Sequence, residues 1–361
     1  MCRVRPSVSL LILLLLSPFA DAASTINVAR RRAVYVSRLP PVLDSAAKRA
    51  LEAGVPGLTI AVVFRGETVV RAYGFSDREA GVAARDTDIY QIGSVTKQFT
   101  AAAIMRLVEQ GKVSLDDKVS KYVPEILPLD ATLSQLLTHT SGIADYFTNL
   151  TENKAMPNAE IIALIKSLGR LFPPGRSWSY SNSGYYLLGM VIERVTGLTY
   201  ADVLDEWFFT PLQLRSTSYC GTKWPSPSGY IAIAGQPVVR TVPADMSLAF
   251  AAGAICSSAL DLTRWSRDLE MGLVVSPESY AAMTTPVHLT GVTFPYGFGL
   301  VLVPVADHKA VWHDGAILGY TSDLSRLPND DLTIAVLLNA TTLDSLAIDM
   351  ATDIALKLLN P

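Results

Sequence analysis

Only three cysteines and four histidines occur among the 361 residues, and both shortages narrow the chemistry. His139, His288, His308 and His313 are scattered, with no H-E-x-x-H, no H-x-H and no other metal-ligand spacing. The chain lacks G-x-S-x-G, so nothing supports a nucleophile elbow. It also lacks a Walker A motif and G-x-G-x-x-G, the usual phosphate cradles. Charged residues make up 17% of the chain and the formal net charge is −3. With Arg30-Arg31-Arg32 as a short basic run and no longer one, no nucleic-acid partner is expected. There is no internal repeat, low-complexity tract or Gly/Ser linker. Half of the residues are hydrophobic, which fits a compact globule rather than a disordered chain. The sequence calls for no cofactor and no metal.

Long apolar runs are missing too, apart from one at the start. Arg3 and Arg5 precede Val8–Ala20, an apolar stretch too short for a comfortable membrane span, and Ala20-Asp21-Ala22 has the form of a cleavage site. Residues 1–22 therefore read as a signal peptide and 23–41 as a linker. The expected location is secreted or periplasmic, with no stable membrane span after cleavage. Cys2 would be lost, leaving Cys220 and Cys256. In an oxidising compartment these either form a disulfide or stay as two buried thiols, and the sequence leaves both open.

The rest reads as a single domain, 42–361. A helix ends at Gly54. Leu58–Phe64 and Thr68–Phe75 flank Arg65-Gly66-Glu67, a hairpin signal. From Ser94 onward helices dominate: Val95–Gln110, Leu133–Thr138, Ala159–Ser167, Gly184–Val195, Tyr200–Phe208, Leu260–Met271 and Pro277–Met283. Strand-like runs return in YGFGLVLVPV, AVWHDG, GYTSDLSRL and LTIAVLLNA, with a turn at Asn329-Asp330-Asp331. Ser345–Leu359 carries Leu346, Met350, Ile354 and Leu358 on one helical stripe. The fold class is α/β (α+β): an antiparallel sheet from both chain ends (42–93 and 290–361), flanked by helices, with an inserted, mostly helical subdomain (94–289). A cleft between the two parts is the natural place for a site.

Three elements carry possible chemistry. The first is Ser94-Val95-Thr96-Lys97. An S-x-x-K match is weak by itself, since roughly one is expected by chance in a chain of this length, and Ser45-Ala46-Ala47-Lys48 is such a match. Ser94 differs in following Gly93 and opening a long apolar helix, at the positive end of its dipole. Residues three apart share a helix face, so the Lys97 amine can reach the Ser94 hydroxyl. Lysine serves as a base only if desolvation or a nearby cation lowers its pKa. The plainer role for Ser94 is a helix cap.

The second element is Tyr180-Ser181-Asn182, the only Y-x-N in the chain. A loop tyrosine beside a lysine is expected to have a lowered pKa and to relay protons, and Asn182 can hold the lysine and a substrate carbonyl. Alone, the pair is equally an aromatic anchor and a cap. The third is His313-Asp314-Gly315. The glycine would admit a close-lying substrate, and the Ala316 amide could join the Ser94 amide as an oxyanion hole. Alone, His313 reads as a turn histidine.

Taken together and in this order, the three elements resemble the active-site signature of the serine β-lactamase and penicillin-binding-protein superfamily. The Tyr-x-Asn form is similar to the class C β-lactamase, D-peptidase and esterase branch. Adjoining stretches (GSVTKQFTAAAIMRLVEQGKVSLDDKVSKYVPE, LSQLLTHTSGI, PPGRSWSYSNSGYYLLG and AAGAICSSALDLTRW) extend the likeness over roughly Val55–Leu337. The resemblance implies a secreted serine hydrolase with a β-lactamase/transpeptidase-like fold. Ser94 would be acylated, Lys97 would accept its proton, and Tyr180 would be the partner base that later activates water. Asn182, His313, Gly315 and Ala316 would bind substrate or its oxyanion. The implied substrate is a small ester, a peptide or a β-lactam-like molecule. Esterase or D-peptidase/D-aminopeptidase activity is expected first. A class C-like β-lactamase and a non-hydrolytic penicillin-binding sensor are the alternatives. The departure lies at His313-Asp314, where the β-lactamases carry Lys-Thr-Gly or Lys-Ser-Gly. A neutral histidine and an added carboxylate facing the cleft would disfavour an anionic substrate group, so weak β-lactamase activity is expected.

Overall fold

The computed structural model describes residues 38–150, 153–221, 227–342 and 345–360. The signal-peptide and most of the linker assignments lie outside these residues. Helix α1 (38–52) already includes 38–41, the end of the expected linker. Pro40 and Pro41 fit near a helix start, where a missing amide hydrogen has no helical partner to lose.

The two chain ends build one antiparallel sheet. Its strands are β1 (Gly57–Phe64), β2 (Glu67–Asp77), β3 (Val82–Ala83), β4 (Val311–Ile317), β5 (Tyr320–Leu327) and β6 (Leu332–Leu338). The order across the sheet is β4-β5-β6-β1-β2-β3. Arg65 (φ 51°) and Gly66 (φ 82°) both turn left-handed between β1 and β2, the backbone demanded by a two-residue hairpin loop. The helices that follow are α2 (Thr96–Glu109), α3 (Leu133–Leu137), α4 (Asn158–Leu168), α5 (Asn182–Thr196), α6 (Tyr200–Leu204), α7 (Met246–Gly253), α8 (Ala259–Glu270), α9 (Pro277–Met283) and α10 (Leu346–Leu359). Strand β1 is buried at every position. Its even residues, Leu58 to Phe64, pack with Leu39, Leu43, Met350, Ile354 and Leu358 under α1 and α10. Ala61 joins the core on the opposite face, with Phe99 of α2 and Trp265 of α8. Period-two alternation thus splits the core into two layers.

YGFGLVLVPV does not form a sheet strand. It joins its neighbours only through isolated bridges, among them Val301 with Trp312. The reason is crowding: a Cβ at Gly297 would stand 2.0 Å from the Met283 carbonyl, and one at Gly299 2.6 Å from that of Lys97. The run is a loop pressed onto α2 and the edge of β4. Cys220 and Cys256 form a disulfide. Cys256 lies on the short strand Ile255–Ser257, which pairs with Tyr90–Gln91 just before Ser94.

The contact that brings sheet and helices together is at Gly315. A Cβ there would stand 2.0 Å from the Ile92 carbonyl, which also accepts a hydrogen bond from Ser322 Oγ at 2.8 Å. Gly315→Ala is expected to lower unfolding stability by about 1–3 kcal/mol, the usual range for overpacking, read from the urea midpoint. An unchanged midpoint would mean that the strand can back away from Ile92.

Candidate active site

Ser94 lies in a short 3₁₀ turn, Gly93–Val95, that leads directly into α2. Its hydroxyl does not cap the helix. It receives a hydrogen bond from the Tyr180 hydroxyl at 2.7 Å and stands 3.0 Å from Lys97 Nζ. The decoy pair behaves as a surface face: Ser45 is exposed, and Lys48 reaches Glu52 across solvent.

Lys97 is fully buried, and its amine has two further neighbours, Asn182 Oδ1 at 2.8 Å and the Ala252 carbonyl at 2.9 Å. That carbonyl is available because α7 breaks at Phe250 (φ 41°, ψ −131°). Ala251 uses its carbonyl in the same way, accepting from Thr100 Oγ1 at 2.7 Å. Burial lowers the Lys97 pKa to about 7, against the opposing charges of Asp145 and Asp314. In the neutral amine the two N–H groups satisfy the two acceptor-only oxygens. The lone pair is then left facing the Ser94 hydroxyl.

Asn182 opens α5 instead of lying in the loop, with Ser181 extended before it. Asp145 fixes it, accepting from Asn182 Nδ2 at 3.0 Å and from its backbone amide at 3.2 Å. The motifs gave no hint of Asp145, because its role is visible only through this contact. Tyr180 departs from expectation. Burial pushes its hydroxyl well above the usual tyrosine range, with the hydrogen bond it shares with Ser94 acting in the opposite direction. The group is a neutral donor, not a phenolate. The Lys97 amine also sits over the Tyr180 ring, 4.8 Å from its centroid.

Two expected substrate contacts are corrected. Gly315 faces the Ile92 carbonyl and Ser322, so it lets the protein's own backbone approach rather than a substrate. His313 is 2% exposed and both ring nitrogens are engaged, by the Tyr296 hydroxyl at 2.9 Å and by the Asp314 carbonyl at 2.6 Å. Burial lowers its pKa to about 4, so it is neutral as expected but offers a ligand no free atom. Asp314 is opposite Asp323 and, through it, Val336 and Ile60, which belong to the layer under α1 and α10. Directly paired residues share a face. At this sheet edge the half-exposed carboxylate nevertheless comes within 3.8 Å of His313 Nδ1, so its negative charge stays beside the site and acts on Lys97.

Ala316 lies near the end of β4. Trp312 turns both its amide and its carbonyl outward to Val301, at 3.0 and 2.7 Å. Residues two apart on an antiparallel strand point the same way, so Asp314 and Ala316 also direct these groups off the edge of β4. The Cβ that Gly93 lacks would be 2.9 Å from the Ala316 amide, which puts this donor against the turn carrying Ser94. Gly93 itself has φ 51°. Of the other histidines, His139 lies behind Tyr180, ring centroids 4.4 Å apart. His288 and His308 are elsewhere, bonded to Thr293 and Asp330.

A family model described as "Beta-lactamase" matches residues 43–359. Penicillin-binding protein 4 of Amycolatopsis lactamdurans is 30% identical over 328 residues, 82% of this chain and 84% of that protein. Penicillin-binding protein 4* of Bacillus subtilis (strain 168) is 28% identical over 291 residues, 74% of this chain and 64% of that protein. The chain thus matches less than two thirds of the Bacillus protein's length. A solved D-amino acid amidase from Ochrobactrum anthropi SV3, complexed with L-phenylalanine amide, matches with a TM-score of 0.80 at 26% identity. That match covers 90% of this chain and 99% of the amidase.

If the neutral Lys97 amine activates Ser94, the rate of Ser94 labelling by a fluorophosphonate rises with pH through about 7 and levels off above it. Below that value the amine is an ammonium with no lone pair to accept a proton. A labelling rate that stays flat from pH 5 to pH 9 would remove Lys97 from that role.

Proposed function

The chain belongs to the beta-lactamase family, and from that premise we propose that it is a serine hydrolase that works through an acyl-enzyme on amides and esters. The observation that carries this reading is the Lys97 amine, with both neutral-form hydrogens committed to Asn182 and Ala252 and its lone pair directed at Ser94. Lys97 takes the Ser94 proton as Oγ bonds to the substrate carbonyl carbon. The Ser94 and Ala316 amides receive the oxyanion that forms. When the C–N or C–O bond breaks, Tyr180 donates its proton to the leaving group and is reprotonated from the Lys97 ammonium. In deacylation Tyr180 takes a proton from the attacking water as it passes its own to Ser94 Oγ. A phenol with a raised pKa suits such concerted exchange, since it never stands as a free phenolate.

Amides and esters of unblocked, D-configured amino acids are the proposed substrate class, ahead of β-lactams. His313 offers no cation and no free donor to a substrate carboxylate, where the resemblance places a lysine in the β-lactamases. The likeness to a D-amino acid amidase supports the same choice. A mostly apolar cavity of about 260 Å³ is walled by Phe147, Leu150, Leu248, Ala249, Ile317 and Leu318, with Asn153 and Asp245 as its polar members. Its walls continue the segments bearing Asp145, Ala252 and Ala316, and its size suits an apolar side chain. We propose export as well. The Arg3–Ala22 pattern supports it, and a Cys220–Cys256 disulfide suits an oxidising compartment.

A panel of a D-phenylalanine anilide, a short nitrophenyl ester and a chromogenic cephalosporin tests this. Wild type is expected to turn over the anilide and the ester faster than the cephalosporin. Ser94→Ala should lose at least about 1,000-fold in kcat. Faster cephalosporin turnover would make the protein a β-lactamase. Stable acylation without turnover would make it a sensor, and undiminished turnover by Ser94→Ala would remove Ser94 from the chemistry.

A further inference from the structure

We infer that Tyr296 is the positioning residue that joins the two walls of the cleft, through a one-way chain of hydrogen bonds from the Ser181 amide to the Asp314 carbonyl. At one end, His139 Nδ1 accepts from the Ser181 amide at 3.1 Å. An accepting ring nitrogen carries no hydrogen, so in the neutral ring Nε2 carries it. His139 Nε2 then donates to the Tyr296 hydroxyl oxygen, 3.0 Å away. At the other end, His313 Nδ1 lies 2.6 Å from the Asp314 carbonyl, which can only accept. The hydrogen is therefore on Nδ1, and His313 Nε2 accepts from the Tyr296 hydroxyl at 2.9 Å. The two imidazoles must be opposite tautomers. A hydroxyl can accept from one ring and donate to the other at a single atom, which Phe cannot do. Both rings and Tyr296 are at least 96% buried, so water is a poor substitute for that hydroxyl.

What this chain holds is the geometry on either side of the nucleophile. His139 has left-handed φ of 59°, and its own carbonyl accepts from the Ser179 amide at 3.0 Å. Together with Nδ1 it fixes the amides on both sides of Tyr180. On the far wall, His313 pins the Asp314 carbonyl, two residues before the Ala316 amide. Tyr296 links these walls from the loop pressed onto the Lys97 carbonyl. The effect is to fix the distance between a proton-donating hydroxyl and an oxyanion donor that come from opposite sides of the cleft.

The kinetic part of this inference rests on the acyl-enzyme reading above, while the tautomer assignment stands without it. In wild type, ¹⁵N NMR of labelled histidines should show His139 as the Nε2–H tautomer and His313 as the Nδ1–H tautomer. Two rings of the same tautomer would overturn the chain whatever the enzyme does. In Tyr296→Phe, kcat per active site, titrated with a fluorophosphonate, is expected to fall at least about tenfold with KM within about twofold. An unchanged kcat per titrated site would overturn the positioning role, leaving a network that only supports folding. Where Tyr296→Phe folds too poorly to titrate, the wild-type tautomers still decide the chain.

Discussion

The site depends on how one amine is kept from water. A lysine side chain in solution is a cation, and a cation cannot take a proton from serine. At Lys97 removal from solvent favours the neutral form, and Asn182 and the Ala252 carbonyl then dictate where its two hydrogens go. The amine and its two partners come from three separate parts of the chain. Lys97 lies at the start of α2, Asn182 at the start of α5, and Ala252 beyond the break in α7. The helical region therefore positions one nitrogen, and Asp145 makes the arrangement rigid by occupying both amide groups of Asn182.

The sheet supplies the other half. It brings both chain ends together, so that β4 forms an edge beside the Ser94 turn. Two glycines make the approach possible. Gly315 removes a side chain that would meet Ile92, and Gly93 removes one that would meet Ala316. With these contacts, the Ala316 amide faces the same space as the serine. The polar order of the site then follows: Tyr180 donates to Ser94, Ser94 donates to neutral Lys97, and the backbone amides are left for an oxygen that becomes negative.

Much of this was legible in the sequence because it is local. The S-x-x-K spacing put Lys97 on the face of Ser94, and the hairpin turn at Arg65-Gly66 was marked by its residues. Period-two and helical periodicities gave nearly every large element. What was hidden depends on contacts between distant segments. Asp145 has no motif, and its role comes from meeting Asn182. Tyr180 was expected to lose its proton more easily beside a lysine, but burial dominates and that lysine is itself close to neutral. His313 and Gly315 were read as facing substrate because motifs do not reveal which side of a strand a neighbour occupies. Their surroundings followed only from the cross-strand register and from contacts with Ile92 and Tyr296, while the Asp314 carboxylate stays within 3.8 Å of His313 Nδ1 at the sheet edge. The YGFG run has strand-like composition, and only its packing against Lys97 and Met283 made it a loop carrying Tyr296.

The central claim is the protonation state of one nitrogen, and NMR can read it directly. With the lysine side chains ¹⁵N-labelled and Lys97 assigned by comparison with Lys97→Arg, Nζ should titrate with a midpoint near pH 7. A midpoint near 10, the value of an ordinary solvated lysine, would mean that Lys97 is a cation at neutral pH. It would then contradict the account of how Ser94 becomes reactive.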